Sequence, residues 1–182
     1  SAAAGLVAWA LIETFRDGKA TAVGMATGAV AGLVGITPAA GFVSPASGML
    51  IGAITSSLCY ISVKVKIKLS FDDSLDTFAV HGVGGTVGAI LTGFFAKAEL
   101  ISSHPAGLVL AEQGRIGLVL GQFQAVLIAY GIAAFGTLII AFLLKSLGCN
   151  YRVEKSVENG GLDISEHGEE AYVERTGSPN AI

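Results

Sequence analysis

The sequence predicts an all-α membrane protein, a transmembrane helix bundle followed by a polar tail. Three observations carry that expectation. The 182 residues are 52% hydrophobic and 14% charged, with a mean hydropathy of +0.68, whereas a soluble domain carries about 25% charged residues. Between Arg115 and Lys145 lie 29 residues with no charge at all, more than the ~20 apolar helical residues that cross a bilayer core. The basic residues are also distributed nine to two between alternate loops.

The elements follow in order from the uncharged runs. Residues 1–15 are apolar but short, and no basic region precedes them as in a signal peptide; they are expected to be the end of a helix that begins upstream. Arg16-Asp17-Gly18-Lys19 forms the loop after it. Between Lys19 and Lys64 lie 44 uncharged residues, enough for two spans. Pro38 and Pro45 divide them, because proline lacks an amide hydrogen and disfavours helix in the residue before it. This places spans near 20–37 and 46–66. The 20 uncharged residues between Asp76 and Lys97 contain one titratable group, His81, and give a span near 76–96. The run after Arg115 gives 116–146. Residues 1–150 are thus the membrane region, and 151–182 form a tail holding seven of the fourteen acids.

Five segments put Arg16, Lys19, Lys64, Lys66, Lys68, Lys145, Arg152, Lys155 and Arg175 on one side, and Lys97 and Arg115 on the other. Basic residues favour the cytoplasmic side, so a multi-pass protein of the plasma or inner membrane is expected, with its C-terminus in the cytoplasm. Phe94 and Phe95 mark the outer interface, as aromatic residues often do. A soluble fold is disfavoured, since 29 uncharged residues are hard to bury in so small a domain.

Several function classes fall away. The formal net charge of −3 supplies no basic stripe for nucleic acid. Cys59 and Cys149 make neither a disulfide framework nor a metal cluster, and Cys59 reads as a small core residue. Gly82 and Gly84 are followed by Val87 where a dinucleotide fingerprint needs its third glycine, with no βαβ unit around them. No enzyme activity and no cofactor is expected. Gly24, Gly28 and Gly32, like Gly84 and Gly88, recur every four residues, a spacing that lets membrane helices approach closely. His104, beside Pro105, reads as a surface histidine, and His167 among its acids as a solvated turn rather than a metal ligand.

His81 carries the functional content. An ionisable group in an apolar span is costly and is expected to face the bundle interior or a pore. A neutral imidazole offers one donor and one acceptor, which suits either a small hydrogen-bonding molecule or a proton relay; a bond to a neighbouring helix is the structural alternative. Gly84, Gly85 and Gly88 fall three, four and seven residues on, and helical spacing puts them on His81's face. Asp76 is only ~7 Å away along a helix and Lys97 ~24 Å, so either His81 lies toward the cytoplasmic end or Asp76 sits in a water-filled vestibule.

Three segments then resemble a known family. Asp76-Thr77-Phe78-Ala79-Val80-His81-Gly82-Val83-Gly84-Gly85, with Gly88 and Thr92-Gly93, is similar to the penultimate-helix signature of the ammonium transporters (Amt/Mep/Rh). Gly32-Leu33-Val34-Gly35-Ile36-Thr37-Pro38-Ala39-Ala40-Gly41 resembles a second signature. Gly161-Leu162-Asp163-Ile164-Ser165-Glu166-His167-Gly168-Glu169-Glu170-Ala171-Tyr172 resembles the cytoplasmic tail motif of the Amt/Mep branch.

The resemblance implies the C-terminal five helices of an eleven-helix, inverted-repeat transporter for ammonium and methylammonium, serving nitrogen uptake as a homotrimer in the lipid bilayer. Ammonium is recruited by outer aromatic rings, a cation–π arrangement, and ammonia crosses a narrow apolar pore past two histidines. His81 corresponds to the second of these, Thr37 lies near the pore, and Asp76 and Thr77 line its cytoplasmic mouth. The first histidine and the outer aromatic site belong to upstream helices, and Trp9 is not assigned to that site. The tail, through Gly161, Asp163, Ser165, His167, Gly168 and Tyr172, is implied to regulate by packing on a neighbouring subunit. A PII-type signal protein can plug the cytoplasmic mouth. Ser165 stands where plant relatives carry a phosphorylated threonine, although Glu166 departs from their motif. An ammonium sensor, or a different inverted-repeat transporter with a proton-relay histidine, are the alternatives. The physical logic holds independently: a bare cation in a dry pore meets a large desolvation penalty that neutral ammonia escapes.

Overall fold

The computed structural model describes residues 1–149 and 152–169. Among them the regular structure is helical: α1 (Ala2–Asp17), α2 (Ala22–Ile36), α3 (Pro45–Lys68), α4 (Val83–Phe95), α5 (Ala98–Ile101), α6 (Pro105–Ser146) and α7 (Lys155–Gly160). A 3-10 turn, Thr37–Ala39, extends α2, and a π-turn, Phe78–Gly82, opens α4.

The ends of these helices are written in their residues. Gly18, at φ 84, stops α1 and returns its amide to Thr14. Thr21 caps α2 by accepting the Gly24 amide, and its own amide donates to Glu13 Oε2 at 2.8 Å. Ser44 accepts the Ser47 amide at the start of α3, with Pro45 in the first turn, where its missing N–H costs nothing.

Helices α1 to α4 pack on one another within the unit Ser1–Gly131. Their contact faces are made of small residues. A Cβ at Gly28 would run into Trp9 and the Gly5 carbonyl, and one at Gly88 would overlap the Gly35 backbone. Such approaches replace hydrophobic exclusion as the basis of helix association in lipid. Around them lies a core of Trp9, Ala31, Cys59, Tyr60 and Val80, in which the Trp9 and Tyr60 rings meet edge-to-face at 5.2 Å.

A second core joins Ala96, Ile101 and Leu118. Here α6 breaks at Gly114 (φ 68, ψ −168), a conformation open to glycine. The neighbouring Arg115 Nη1 donates to the carbonyls of Gly93 and Ala96 at 3.3 and 2.5 Å, satisfying acceptors that the end of α4 leaves free.

Four helical stretches, Ala22–Ala39, Pro45–Lys68, Phe78–Phe95 and Pro105–Ser146, are long and apolar enough to cross a membrane. Their outward faces carry large exposed apolar side chains, among them Leu50, Ile61, Ile116, Leu127 and Ile128. Water would penalise so continuous an apolar surface, and lipid accepts it. The chain is a multi-pass helix-bundle membrane protein.

The second unit, Ile132–Ile182, begins inside α6. Among its described residues, α7 is braced by Arg152, which grips Glu158 at 2.7 Å. A π-turn, Asp163–His167, follows.

Candidate functional site

The segment that carries His81 is fixed from several directions. After α3 the chain runs through residues 69–77, where Ser70 and Asp76 take positive φ values of 52 and 55, uncommon for residues with a Cβ. Asp73 then caps the coming helix with both carboxylate oxygens: Oδ1 accepts the Thr77 amide at 2.8 Å and Oδ2 the Phe78 amide at 2.9 Å. Lys66, from the last turn of α3, donates to the Asp73 carbonyl and pairs with Asp76 Oδ1, each at 2.5 Å. The loop is thereby tied to α3 by one ammonium group.

The π-turn follows at once. The Val83 amide reaches back five residues to the Phe78 carbonyl, one more than in an α-helix. Such turns are short, rare and frequent at functional sites. Ala79 and Val80 face inward, and the Val80 carbonyl accepts the Cys59 thiol at 3.6 Å. His81 is the fourth residue of the run and is exposed. Among the described residues its imidazole has no hydrogen-bond, ion-pair or ring partner.

The glycines that follow divide between two faces, which corrects the expectation that all three share His81's side. Gly84 meets Cys59, Val34 and Thr55, and Gly88 meets Gly35, whereas Gly85 has open space. All three lie in the regular helix Val83–Phe95, where successive residues are about 100° apart, so α2 and α3 cover the edge with Gly84 and Gly88 and leave Gly85 open. Gly85 alone remains on the open side with the imidazole.

One residue after His81, the Gly82 carbonyl accepts two hydroxyls. Thr86 Oγ1 donates at 2.8 Å and Tyr130 Oη at 3.2 Å, and the two hydroxyls lie 2.8 Å apart. Tyr130 comes from α6, so this is the second tie on the His81 segment.

The remaining residues named from the sequence are dispersed. Asp76 is half-buried in the loop and Thr77 exposed at the helix start. Thr37 is exposed at the end of α2, its hydroxyl donating to the Leu33 carbonyl at 2.8 Å; α4 packs on the turn it begins, but no bond joins Thr37 to His81 among the described residues. Gly161 (φ 94) follows α7, Asp163, Ser165 and His167 lie in the second π-turn, and Gly168 (φ 77) ends it. Ser165 Oγ donates to the Gly161 carbonyl at 3.1 Å. Tyr172 lies outside the described residues.

None of Lys66, Asp73, Thr86 or Tyr130 stands out in the sequence as a site residue. Asp73 carried a usable signal, an aspartate placed to cap a helix that begins a few residues on. Tyr130 carried only the oddity of a phenol inside a long uncharged run.

Elsewhere on the surface, Asp17 at the end of α1 accepts from Lys64 Nζ and Tyr60 Oη, both at 3.0 Å. The Lys64 bond first, and the Tyr60 bond second, hold its carboxyl below the usual carboxylate range. No group of three or more His, Cys, Asp or Glu is placed to bind a metal among the described residues.

Comparison with known proteins adds the family. Residues 1–172 match the Ammonium Transporter Family. The chain is 40% identical over 173 residues to an ammonium transporter of Bacillus subtilis, covering 94% of this chain and 42% of that protein. It is 36% identical to the ammonium transporter Mep2 of Saccharomyces cerevisiae, covering 97% of this chain and 36% of that one. The crystal structure of Saccharomyces cerevisiae Mep2 superposes with a TM-score of 0.68 at 35% identity, over 97% of this chain and 40% of that chain. A structure described as a sensor Amt protein superposes with a TM-score of 0.75 at 30% identity, over 91% and 39%. This chain therefore spans about two-fifths of the length of such relatives. It belongs to the ammonium transporter family.

Proposed function

We propose that this chain forms the C-terminal part of a transporter for ammonium and methylammonium, with His81 on the conduction route and no enzymatic step. The observation that carries this reading is the exposed His81 imidazole, without a partner among the described residues, on an otherwise apolar helix. In lipid such a group is costly, so its side is one that other protein or a polar path must cover. A neutral imidazole can pass ammonia along by donating and accepting in turn, while apolar walls penalise potassium, which has no proton to shed. Thr37, Asp76 and Thr77 flank that route in this reading, with Asp76 and Thr77 at the cytoplasmic mouth. Residues 1–150 form the membrane region and 151–182 a cytoplasmic tail. The protein works as a homotrimer in the plasma or inner membrane. The tail residues Gly161, Asp163, Ser165, His167, Gly168 and Tyr172 couple the subunits, and a PII-type protein closes the mouth from the cytoplasm.

The likeness to the sensor Amt protein favours one second reading, in which the same pore domain binds ammonium and reports it without appreciable flux. The test is ammonium-evoked flux in proteoliposomes containing the full-length protein that carries this segment, beside its His81→Ala variant. The expected result is parental flux, with the variant losing flux or selectivity over potassium. Unchanged rate and selectivity in the variant would overturn the role of His81. Ammonium binding without parental flux would replace transport by sensing.

A further inference from the structure

We infer that Tyr130 is a positioning residue for His81, acting from α6 through the Gly82 carbonyl. The inference rests on the reading that His81 lies on the conduction route. Its geometric basis is separate. The π-turn Phe78–Gly82 carries the imidazole; its own bond runs from the Val83 amide to the Phe78 carbonyl, and such turns occur as single turns inside α-helices, frequently at functional sites. On the inward side Ala79 and Val80 are buried, and Cys59 donates to Val80. At its start Asp73 accepts the Thr77 and Phe78 amides, and at its end two hydroxyls meet the Gly82 carbonyl. Thr86 bonds Gly82 from within the same helix, so it moves with that helix. Among the described residues it is Tyr130 that reaches this end from another helix, with its hydroxyl 3.2 Å from the Gly82 carbonyl and 2.8 Å from the Thr86 hydroxyl.

The three oxygens form one closed cluster. A carbonyl oxygen has two lone pairs, and each hydroxyl has one proton. The Gly82 oxygen, Thr86 Oγ1 and Tyr130 Oη make three contacts with two protons, so one hydroxyl donates to the carbonyl while the other donates to it or to its partner hydroxyl, and either way Tyr130 is bonded within the cluster. Loss of the phenol hydroxyl would leave the ring in place yet free the peptide next to His81 to relax toward α-helical register. That relaxation turns the imidazole relative to the faces marked by buried Gly84 and open Gly85.

The test uses the full-length protein in proteoliposomes, with flux normalised to folded, monodisperse protein, for the parent, Tyr130→Phe, Thr86→Val and His81→Ala. Tyr130→Phe is expected to lower the maximal flux about fivefold, a change of ~1 kcal/mol in barrier, with the half-saturating ammonium concentration unchanged. Thr86→Val, which removes the second hydroxyl, is expected to act in the same direction and serves if Tyr130→Phe fails to fold. Parental flux in whichever of these variants folds, while His81→Ala is impaired, overturns the positioning role and leaves the route intact. A shifted half-saturation with unchanged maximal flux also overturns it, since Tyr130 would then act on ammonium capture. An unaffected His81→Ala overturns the route itself and this inference with it.

Discussion

Lys66 Nζ lies 2.5 Å from Asp76 Oδ1, and Asp76 is one of the two described residues other than glycine that hold a positive φ. The pair therefore joins the end of α3 to the strained corner from which the His81 helix departs. Aspartate tolerates this backbone region better than most residues, but its charge is half-buried there, with the Lys66 side chain only 15% exposed.

Removing Lys66 should accordingly cost more than a surface ion pair would. Lys66→Met leaves the Asp76 carboxylate without its ion-pair partner and the Asp73 carbonyl without its donor, which predicts a loss of about 1–3 kcal/mol. Asp76→Asn, added to Lys66→Met, should restore part of that loss, because asparagine keeps the backbone preference and removes the unpaired charge. Thermal unfolding in detergent of the single and double variants reads this directly. A Lys66→Met protein as stable as the parent would mean that water already satisfies the carboxylate.

The glycines of α4 predict opposite responses to one methyl group. Gly88→Ala forces a Cβ into the Gly35 backbone, and overpacking of this kind costs about 1–3 kcal/mol. Gly85→Ala meets open space and should gain up to about 1 kcal/mol from better helix propensity. Melting temperatures that fall equally for both would refute the division of the two faces.

Asp17 predicts a pH dependence. Its carboxyl is held below the usual value by Lys64 and then Tyr60, so its stabilising effect is complete above the unfolded-state value of about 3.9. It is lost as pH falls through the lower folded-state value. The parent should melt above Asp17→Asn near neutral pH, and the difference should shrink as the solution is acidified below that range. The group is exposed, so 1 M salt should reduce the difference as well. A gap that widened on acidification would contradict the assignment.

How much of this was legible in the sequence depended on which signal was one-dimensional. Uncharged runs and proline positions are local, and α2 indeed gives way at the 3-10 turn holding Pro38 while α3 starts on Pro45. The four-residue glycine spacing pointed to close packing, and Gly28 and Gly88 are in such contacts. What could not be read was any feature needing a second element. The π-turn looks like ordinary helix in its composition, and which edge of α4 is covered, the one with Gly84 and Gly88 but not Gly85, depends on where α2 and α3 lie. Tyr130 and Thr86 are 44 residues apart, and Lys66 precedes Asp76 across a turn with no periodic pattern. Their meeting is a property of the packed chain.

Arg115 and Gly114 together give the last prediction. Arg115 Nη1 bonds the Gly93 and Ala96 carbonyls, and it directly follows Gly114, whose φ of 68 breaks α6. Arg115→Met removes the donor, and since hydrogen bonds to a charged group contribute about 1.5–3 kcal/mol, a loss in that range is expected. Gly114→Ala keeps the arginine but strains the backbone that aims it. Because both changes disable the same closure beside Ala96, Ile101 and Leu118, the double variant should lose less than the sum of the singles. Additivity within about 0.3–0.5 kcal/mol in denaturation of the purified protein would instead make the kink and the arginine independent, with the turn at Gly114 maintained by the packing of the second core alone.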